Sequence, residues 1–340
     1  MAYKSGTGSA LQMGKQASWG NNKTLSDKTL INMTSESINY TVNKEAEGSL
    51  VGTKTEQSRD ITSYVVDGSI SSILKPEFAD FVFNQAMGVA TSGTNEVTYT
   101  LAEAGASLPL SDVVVRRGSF ESSNWNVKEY PDVTISSLTL TAPAQQYVTL
   151  DMNITGSREI GSDFSDASTD YKFNGIDNTL KFTKGSYRCT SASMVFGNAG
   201  SDPTVGETCF PVESTTITID NGISASPATY CSGFYAEQPT MGQRSVSVDF
   251  SIPYGVLAEN FRKQYYVAEN DVALKLKFTS KDSADEYVEI VLPKVSLTAG
   301  SGNVGSADLI DTSFSGVALT PTSGDFNNEP IKVTVHHVAS

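Results

Sequence analysis

From Ser245 to Ile252 the chain reads Ser-Val-Ser-Val-Asp-Phe-Ser-Ile, polar and apolar residues in strict alternation. A side-chain period of two gathers the apolar residues on one face only in a β-strand. Such a run therefore calls for a sheet with one buried and one polar face. Similar runs recur. Ile38, Tyr40 and Val42 oppose Ser37, Asn39 and Thr41, while Tyr64, Val66 and Ile70 oppose Ser63, Asp67, Ser69 and Ser71. Further strand-like runs cover 96–101, 110–117, 132–141, 147–155 and 331–338. Helical spacing is confined to two places. Phe78, Phe81, Val82 and Met87 lie between Pro76 and Gly88, the usual start and stop residues, and Leu257, Phe261 and Tyr265 lie between Gly255 and Val267. The chain is mainly β, with one helix to each half.

The alternating block has an earlier relative. Ser63-Tyr-Val-Val-Asp-Gly-Ser-Ile70 returns as Ser245 to Ile252, 182 positions later (249 − 67), and a helix follows both. Thr216-Ile-Thr-Ile219 precedes the second block as Ser37-Ile-Asn-Tyr40 precedes the first, with a long loop between, 43–60 and 220–241. Leu138-Thr-Leu-Thr-Ala142 parallels Val295-Ser-Leu-Thr-Ala299. Leu150-Asp-Met-Asn-Ile-Thr-Gly156 parallels Ile310-Asp-Thr-Ser-Phe-Ser-Gly316, 160 positions later (311 − 151). Matches in one order predict a duplication, and the smaller later offset places extra residues in the first half, at 118–130. A chain of 340 residues holds two domains of about 150 each, every one with its own core. The expected division is an extended arm at 1–32, where no period is visible, a first domain at 33–160, an acidic linker at 161–185 and a second domain at 186–340.

Little in the chain supports catalysis or ligand binding. Net charge is −14, with 24 Lys+Arg against 38 Asp+Glu, which repels nucleic-acid phosphates and anionic head groups. Neither a signal-like N-terminal segment nor a run of about 20 apolar residues occurs, so synthesis in the cytoplasm without membrane association is expected. Cys189, Cys209 and Cys231 make an odd count that fits no zinc spacing and read as packed thiols. The two histidines, His336 and His337, are adjacent and would point to opposite faces of a strand, too little for a triad or a metal cluster. Gly8 to Lys15 fails as a phosphate loop, having five residues between its glycines and Gln16 where a hydroxyl is needed. Asp163, Asp166, Asp170, Asn174 and Asp177 lack EF-hand spacing and read as a solvated linker, not a calcium site. No catalytic, cofactor or metal residues are assigned.

Two polar features remain. Asp67, Asp151, Asp249 and Asp311 fall on the polar faces of strands whose other faces are apolar, an acidic surface in both halves. The loop 43–60 carries Lys44, Glu45, Glu47, Lys54, Glu56 and Arg59 with two glycines, too long for a tight turn and too charged for a core. It is expected to project into solvent or toward a partner.

Ser37-Ile-Asn-Tyr40, the charged loop, Val66-Asp-Gly-Ser-Ile70 and the segment Pro76 to Gly88 together resemble the tail tube, or major tail, proteins of long-tailed siphophages. The second half, from about Tyr187 to Val338, resembles the duplicated members of that family at Ile290-Val-Leu-Pro-Lys-Val295. The resemblance implies two tandem β-sandwich domains, each with one flanking helix. It also implies a structural protein of the virion, assembled in the host cytoplasm as stacked rings, with DNA passing through the channel unbound. Single-domain members form hexameric rings, so a duplicated chain implies a trimer. The four aspartates would then face the lumen, the charged loop would contact the next ring, and the arm would lie along a neighbour. Implied partners are further copies of the chain and the tape measure, terminator and tail-tip proteins. Alternatives are a tail-tip, baseplate or secretion-type tube protein of the same fold. An adhesive carbohydrate-binding sandwich would use Trp19 and Trp125 as platforms.

Overall fold

The structure is a computed structural model and describes residues 6–22, 25–46, 58–103, 105–119, 125–161, 171–203, 210–223, 233–302, 311–322, 326 and 328–338. It is mainly β. The strands are β1 (Ala10–Gln16), β2 (Ser26–Ile31), β3 (Met33–Glu36), β4 (Asn39–Ala46), β5 (Arg59–Ile73), β6 (Gly88–Ser92), β7 (Glu96–Leu101), β8 (Leu110–Arg116) and β9 (Val127–Pro143). They continue as β10 (Thr149–Gly156), β11 (Ile160–Gly161), β12 (Tyr187–Asn198), β13 (Ser214–Asp220), β14 (Ser245–Pro253), β15 (Val272–Ser280), β16 (Tyr287–Gly302), β17 (Asp311–Ala318) and β18 (Lys332–His336). Helix α1 (Pro76–Met87) follows β5, and α2 (Val256–Phe261), prolonged by a π-helical stretch Arg262–Val267, follows β14.

Alternation has the consequence expected of it. In β13 and β14 the residues Thr215, Ile217, Ile219, Val246, Val248, Phe250 and Ile252 are buried and those between them are not. Helix α1 begins with Pro76, which lacks only an N–H that had no intrahelical partner, and ends at Gly88. Gly88 sits at φ 96°, its N–H bonded to the Asn84 carbonyl, and a Cβ there would lie 2.9 Å from Ala102 Cβ. Only glycine fits that left-handed cap.

Two sets of six antiparallel strands pair in one order. The first runs β4–β5–β10–β9–β8–β1. The second runs β13–β14–β17–β16–β15–β12. Their irregularities coincide as well. Between the rungs Val113–Tyr130 and Ser111–Val133, Pro131 and Asp132 bulge from β9, and between Leu274–Leu292 and Val272–Val295, Pro293 and Lys294 bulge from β16. Proline is tolerated there because no regular ladder N–H is required.

These bulges put Val133-Thr-Ile-Ser-Ser137, and not Leu138 to Ala142, in step with Val295-Ser-Leu-Thr-Ala299. A second bulge in each ladder puts Ser69, and not Asp67, in step with Asp249. A two-residue slip keeps every side chain on its face, so alternation could not detect that displacement. The extra residues of the first set also lie elsewhere than expected. They form the β6–β7 hairpin between α1 and β8, which has no counterpart between α2 and β15.

The sets are joined. Residues 137–143 of β9 pair with 214–220 of β13, so one sheet crosses from one set into the other above a continuous apolar core. Strand β18 closes a second connection between β16 and β7.

Three segments differ from expectation. Residues 10–16 and 26–31, expected in an extended arm, are β1 and β2, with β1 between β2 and β8. Leu11 and Met13 are fully buried, but so are Gln12 and Gln16 on the alternate positions; Gln12 bonds to the backbone of Asp177 and Gln16 to Asp132. Burial of both faces erased the polar–apolar contrast. Residues 171–178 of the expected solvated linker are docked on the first set: Asn174 and Gly175 donate N–H bonds to Glu129 on β9 at 2.7 and 3.2 Å, and the Asp177 N–H bonds to Gln12 on β1. The loop 43–60 is shorter than read, because 43–46 and 59–63 pair as the outer rungs of the β4–β5 hairpin.

Candidate functional site

The sheet that crosses between the sets has one dominant surface. Following the rungs from the β3–β4 edge, Asn39 stands beside Asp67, Ser71 beside Asp151, and Asp151 beside Thr139. Thr139 stands beside Thr218, Thr216 beside Asp249, and Asp249 beside Ser315. Directly opposed residues share a face, so these side chains form one surface spanning both sets. Asp311, opposite Pro253, lies on it too. All four aspartates singled out in the sequence are thus brought to one face, Asp151 half-buried and the others exposed. A fifth, Asp220, opposite Ser245, was missed because it ends its run at a loop.

The surface is acidic without being compensated. Segments 35–41, 65–73, 137–143, 149–155, 214–220, 245–253, 296–301 and 311–317 contain no lysine or arginine. Hydroxyls serve instead: Ser71 donates to Asp151 and Ser315 to Asp249, and Thr139 and Thr218 pair at 3.2 Å. Partial desolvation and the neighbouring Asp311 carboxylate hold Glu213 above the ordinary glutamate value. The reverse face carries Val66, Ile70, Leu140, Leu150, Ile217 and Phe250, all buried. Small hydroxyls between well-spaced carboxylates give a smooth, anionic wall that hydrogen-bonds water and has no cation to hold a phosphate.

The loop residues are less gathered. Lys44 and Glu45 lie on β4, and Arg59 opens β5, near the end of the hairpin. Glu47, Lys54 and Glu56 lie outside the described residues, as do Cys209, Cys231, Asp163, Asp166 and Asp170.

Both histidines lie off the wall and join elements. His336 stacks on Tyr287 and contacts Glu96 at 3.3 Å, and His337 contacts Asp80 at 2.9 Å, fastening the C-terminal strand to the first set. Burial lowers the His336 pKa, with Glu96 opposing. Cys189 is half-buried, its thiol pushed up to about 11 by burial. Trp125 is half-exposed, and Trp19, which precedes β2, is only partly exposed. Among the described residues no group of His, Cys, Asp and Glu could hold a metal ion, and no helix is long and apolar enough to cross a membrane.

Two features escaped sequence reading. Arg244 donates to the carbonyls of Ala86, Met87 and Ala102 and to Asn221, whose side chain in turn donates to Ala86 and Ile135. The second set thereby caps the first set's helix. Desolvation lowers the Arg244 pKa to about 10, with Glu329 opposing. At the sheet edge, Arg117 clamps Glu36 through Nε at 2.8 Å and Nη2 at 3.1 Å. Burial would raise the Glu36 carboxyl, but Arg117 and the Ile38 N–H hold it below its ordinary value.

The chain is thus mainly β, with an acidic, hydroxyl-rich sheet face that has no lysine or arginine within the segments that form it. Residues 6–318 match the family model described as phage tail tube protein, and the chain belongs to that family. It is accordingly a structural component of the virion tail, in a family that is not an enzyme class. No curated protein matched the chain.

Proposed function

We propose that three copies of this chain close into a pseudo-hexameric ring, that rings stack into a tube, and that the acidic sheet face lines the lumen through which DNA passes. The observation that carries this reading is the continuous wall with Asp67, Asp151, Asp220, Asp249 and Asp311 and no lysine or arginine within the segments that form it. A passing polyanion is repelled by such a surface and finds nothing to bind.

The chain is read as two tandem tail-tube β-sandwich units, each with its helix. The matching strand order and coincident bulges support this, and two units per chain make three chains the counterpart of a six-unit ring. The β4–β5 hairpin, with Lys44, Glu45 and Arg59 toward its tip, would reach the adjacent ring. The tape measure, terminator and tail-tip proteins would meet the ends of the tube, and assembly would occur in the host cytoplasm. The segment once expected as an arm is not assigned to a neighbour, because β1 and β2 pair within the chain.

Negative-stain microscopy of the purified protein under polymerising conditions tests the reading. Hollow tubes with a regular axial repeat and threefold rings are expected. A protein that stays dispersed and monomeric at high concentration would refute it.

A further inference from the structure

The seam between β9 and β13 has one fixed register. Its hydrogen-bonded rungs are fixed at the ends by Ala144 N–H to the Glu213 carbonyl, 2.7 Å, and Asn221 N–H to the Ser136 carbonyl, 2.9 Å. Stepping by two, Leu138 with Ile219 and Leu140 with Ile217 exchange both backbone bonds, and Thr139 with Thr218 is the closer rung between them. The sheet has two further edges of the same kinds. Strand β16 holds the place of β9, and the strand β3–β4 holds the place of β13.

Along β3–β4, Ser37 N–H bonds to the Ser69 carbonyl on β5 at 2.9 Å, so the alternate residues Ile38 and Tyr40 direct their N–H and C=O groups outward. Among the described residues no strand pairs there. Instead the Ile38 N–H donates to Glu36 Oε2 at 3.0 Å and its carbonyl accepts from Arg117 Nη2 at 2.8 Å. The clip fills the two groups that Ile217, in the same place on β13, gives to Leu140.

Resting on the ring reading above, we infer that the Ile38–Tyr40 edge pairs with β16 of a second copy in the register of the internal seam, and that the Glu36–Arg117 clip must open for it. Carrying the internal rungs over sets Tyr40 against Gly300 and makes Asn39 with Ser301 the close rung that Thr218 and Thr139 form internally. An exposed edge that templates uncontrolled pairing is a hazard, and a charged plug on its outward groups guards it until the correct strand displaces it.

The helices agree on the occupant. Helix α1, beside the internal seam, buries Pro76, Phe78, Phe81, Val82, Phe83 and Met87. Helix α2, beside the open edge, buries only Ala258 and Phe261, and Val256, Leu257 and Val267 are 80, 42 and 57% exposed. An apolar helix face next to an unpaired strand matches a second copy, whose β4 brings the exposed Val42 to that end of the seam.

The test uses the full chain with Cys189, Cys209 and Cys231 replaced by serine. One preparation carries Asn39→Cys and another Ser301→Cys; they are mixed, assembled and oxidised, then run without reductant. A two-chain band from the mixture, absent from either preparation alone, is expected, and a chain carrying both substitutions should give closed three-chain species. A displaced pair, Thr41→Cys with Ser301→Cys, should stay uncross-linked. If tubes form but only the displaced pair links, or neither does, the register is overturned while the ring reading stands; if the unsubstituted protein forms no rings, both fall. Arg117→Met, checked for folding by circular dichroism, should shorten the assembly lag, and an unchanged lag removes the clip from the pathway.

Discussion

Thr139 and Thr218 bring their hydroxyl oxygens to 3.2 Å across the seam where β9 meets β13. That contact lies on seven consecutive rungs, from Ser137–Asp220 to Pro143–Ser214, with Leu138, Leu140, Ile217 and Ile219 buried beneath. Two sets sharing a central ladder and one core should not unfold separately. Urea unfolding followed by circular dichroism and by tyrosine fluorescence is expected to give one coincident transition, with the amides of those four residues among the slowest to exchange. Ile217→Pro, which removes a ladder N–H from a central strand and leaves the Leu140 carbonyl without its donor, should cost about 1–3 kcal/mol. Two resolved transitions in the parent protein would contradict a shared unit.

Arg244 makes the coupling directional. Its guanidinium and the Asn221 amide satisfy carbonyls at the end of α1 that the helix cannot satisfy itself. Arg244→Ala removes the guanidinium's bonds to the Ala86, Met87 and Ala102 carbonyls and to Asn221, and should cost about 2–4 kcal/mol, since each lost bond from a charged donor is worth about 1.5–3 kcal/mol. Arg244→Lys should recover little, because an ammonium cannot span several acceptors with a fixed fork. Denaturation midpoints of the three proteins decide it; equal stability of the parent and Arg244→Ala would show that the cap contributes nothing.

The wall was legible because one face is polar and one apolar: the period of two shows in Ser245 to Ile252 and carries Asp249 to the correct face without any structure. Helix α1 was legible from its proline and glycine. Strand β1 was not, because Gln12 and Gln16 are buried against distant backbone and carboxylate groups that no local pattern announces. The register between the two sets was off by two for Asp67 and Asp249, since a slip of two preserves every face. The Pro131 and Pro293 bulges, which fix the register, are visible only as isolated prolines until their ladders are known. Arg244 and Arg117 act across long sequence separations, so nothing near either residue marks its role.

Asp112, packed against Glu129, makes the stability of the fold depend on pH. Asp112 is fully buried beside the Glu129 side chain. Burial, then the adjoining Glu129 carboxylate, pushes its pKa well above the ordinary value of 3.8. Below that value folded and unfolded states are both protonated and nothing is lost. As pH rises above it the unfolded chain releases the proton while the folded chain keeps it, so stability falls. Asp112→Asn keeps the shape and removes the ionisable group. It should match the parent at pH 3.5 and exceed it by about 1 kcal/mol or more at pH 8, where each tenfold bias in ionisation is worth about 1.4 kcal/mol. Urea midpoints at the two pH values measure this, and a variant less stable at pH 8 would show that the carboxylate is favourably held.

If the acidic face lines a lumen, reversing its charge should change what the tube retains without changing how the chain folds. Asp67 and Asp249 are exposed, and Ser315 donates to Asp249. Surface substitutions of this kind shift stability by about 0.5 kcal/mol or less. The double variant Asp67→Lys with Asp249→Lys is therefore expected to assemble normally. In each copy it replaces two anions by two cations, so short duplex DNA should be retained by variant tubes at low salt and released as salt rises. Parent tubes should retain none under the same conditions. Fluorescence anisotropy of labelled duplex, with nuclease protection to separate DNA inside the tube from DNA on its outer surface, measures both. Retention that is fully nuclease-sensitive would place this face on the outside of the tube and reverse the orientation assigned to the sheet.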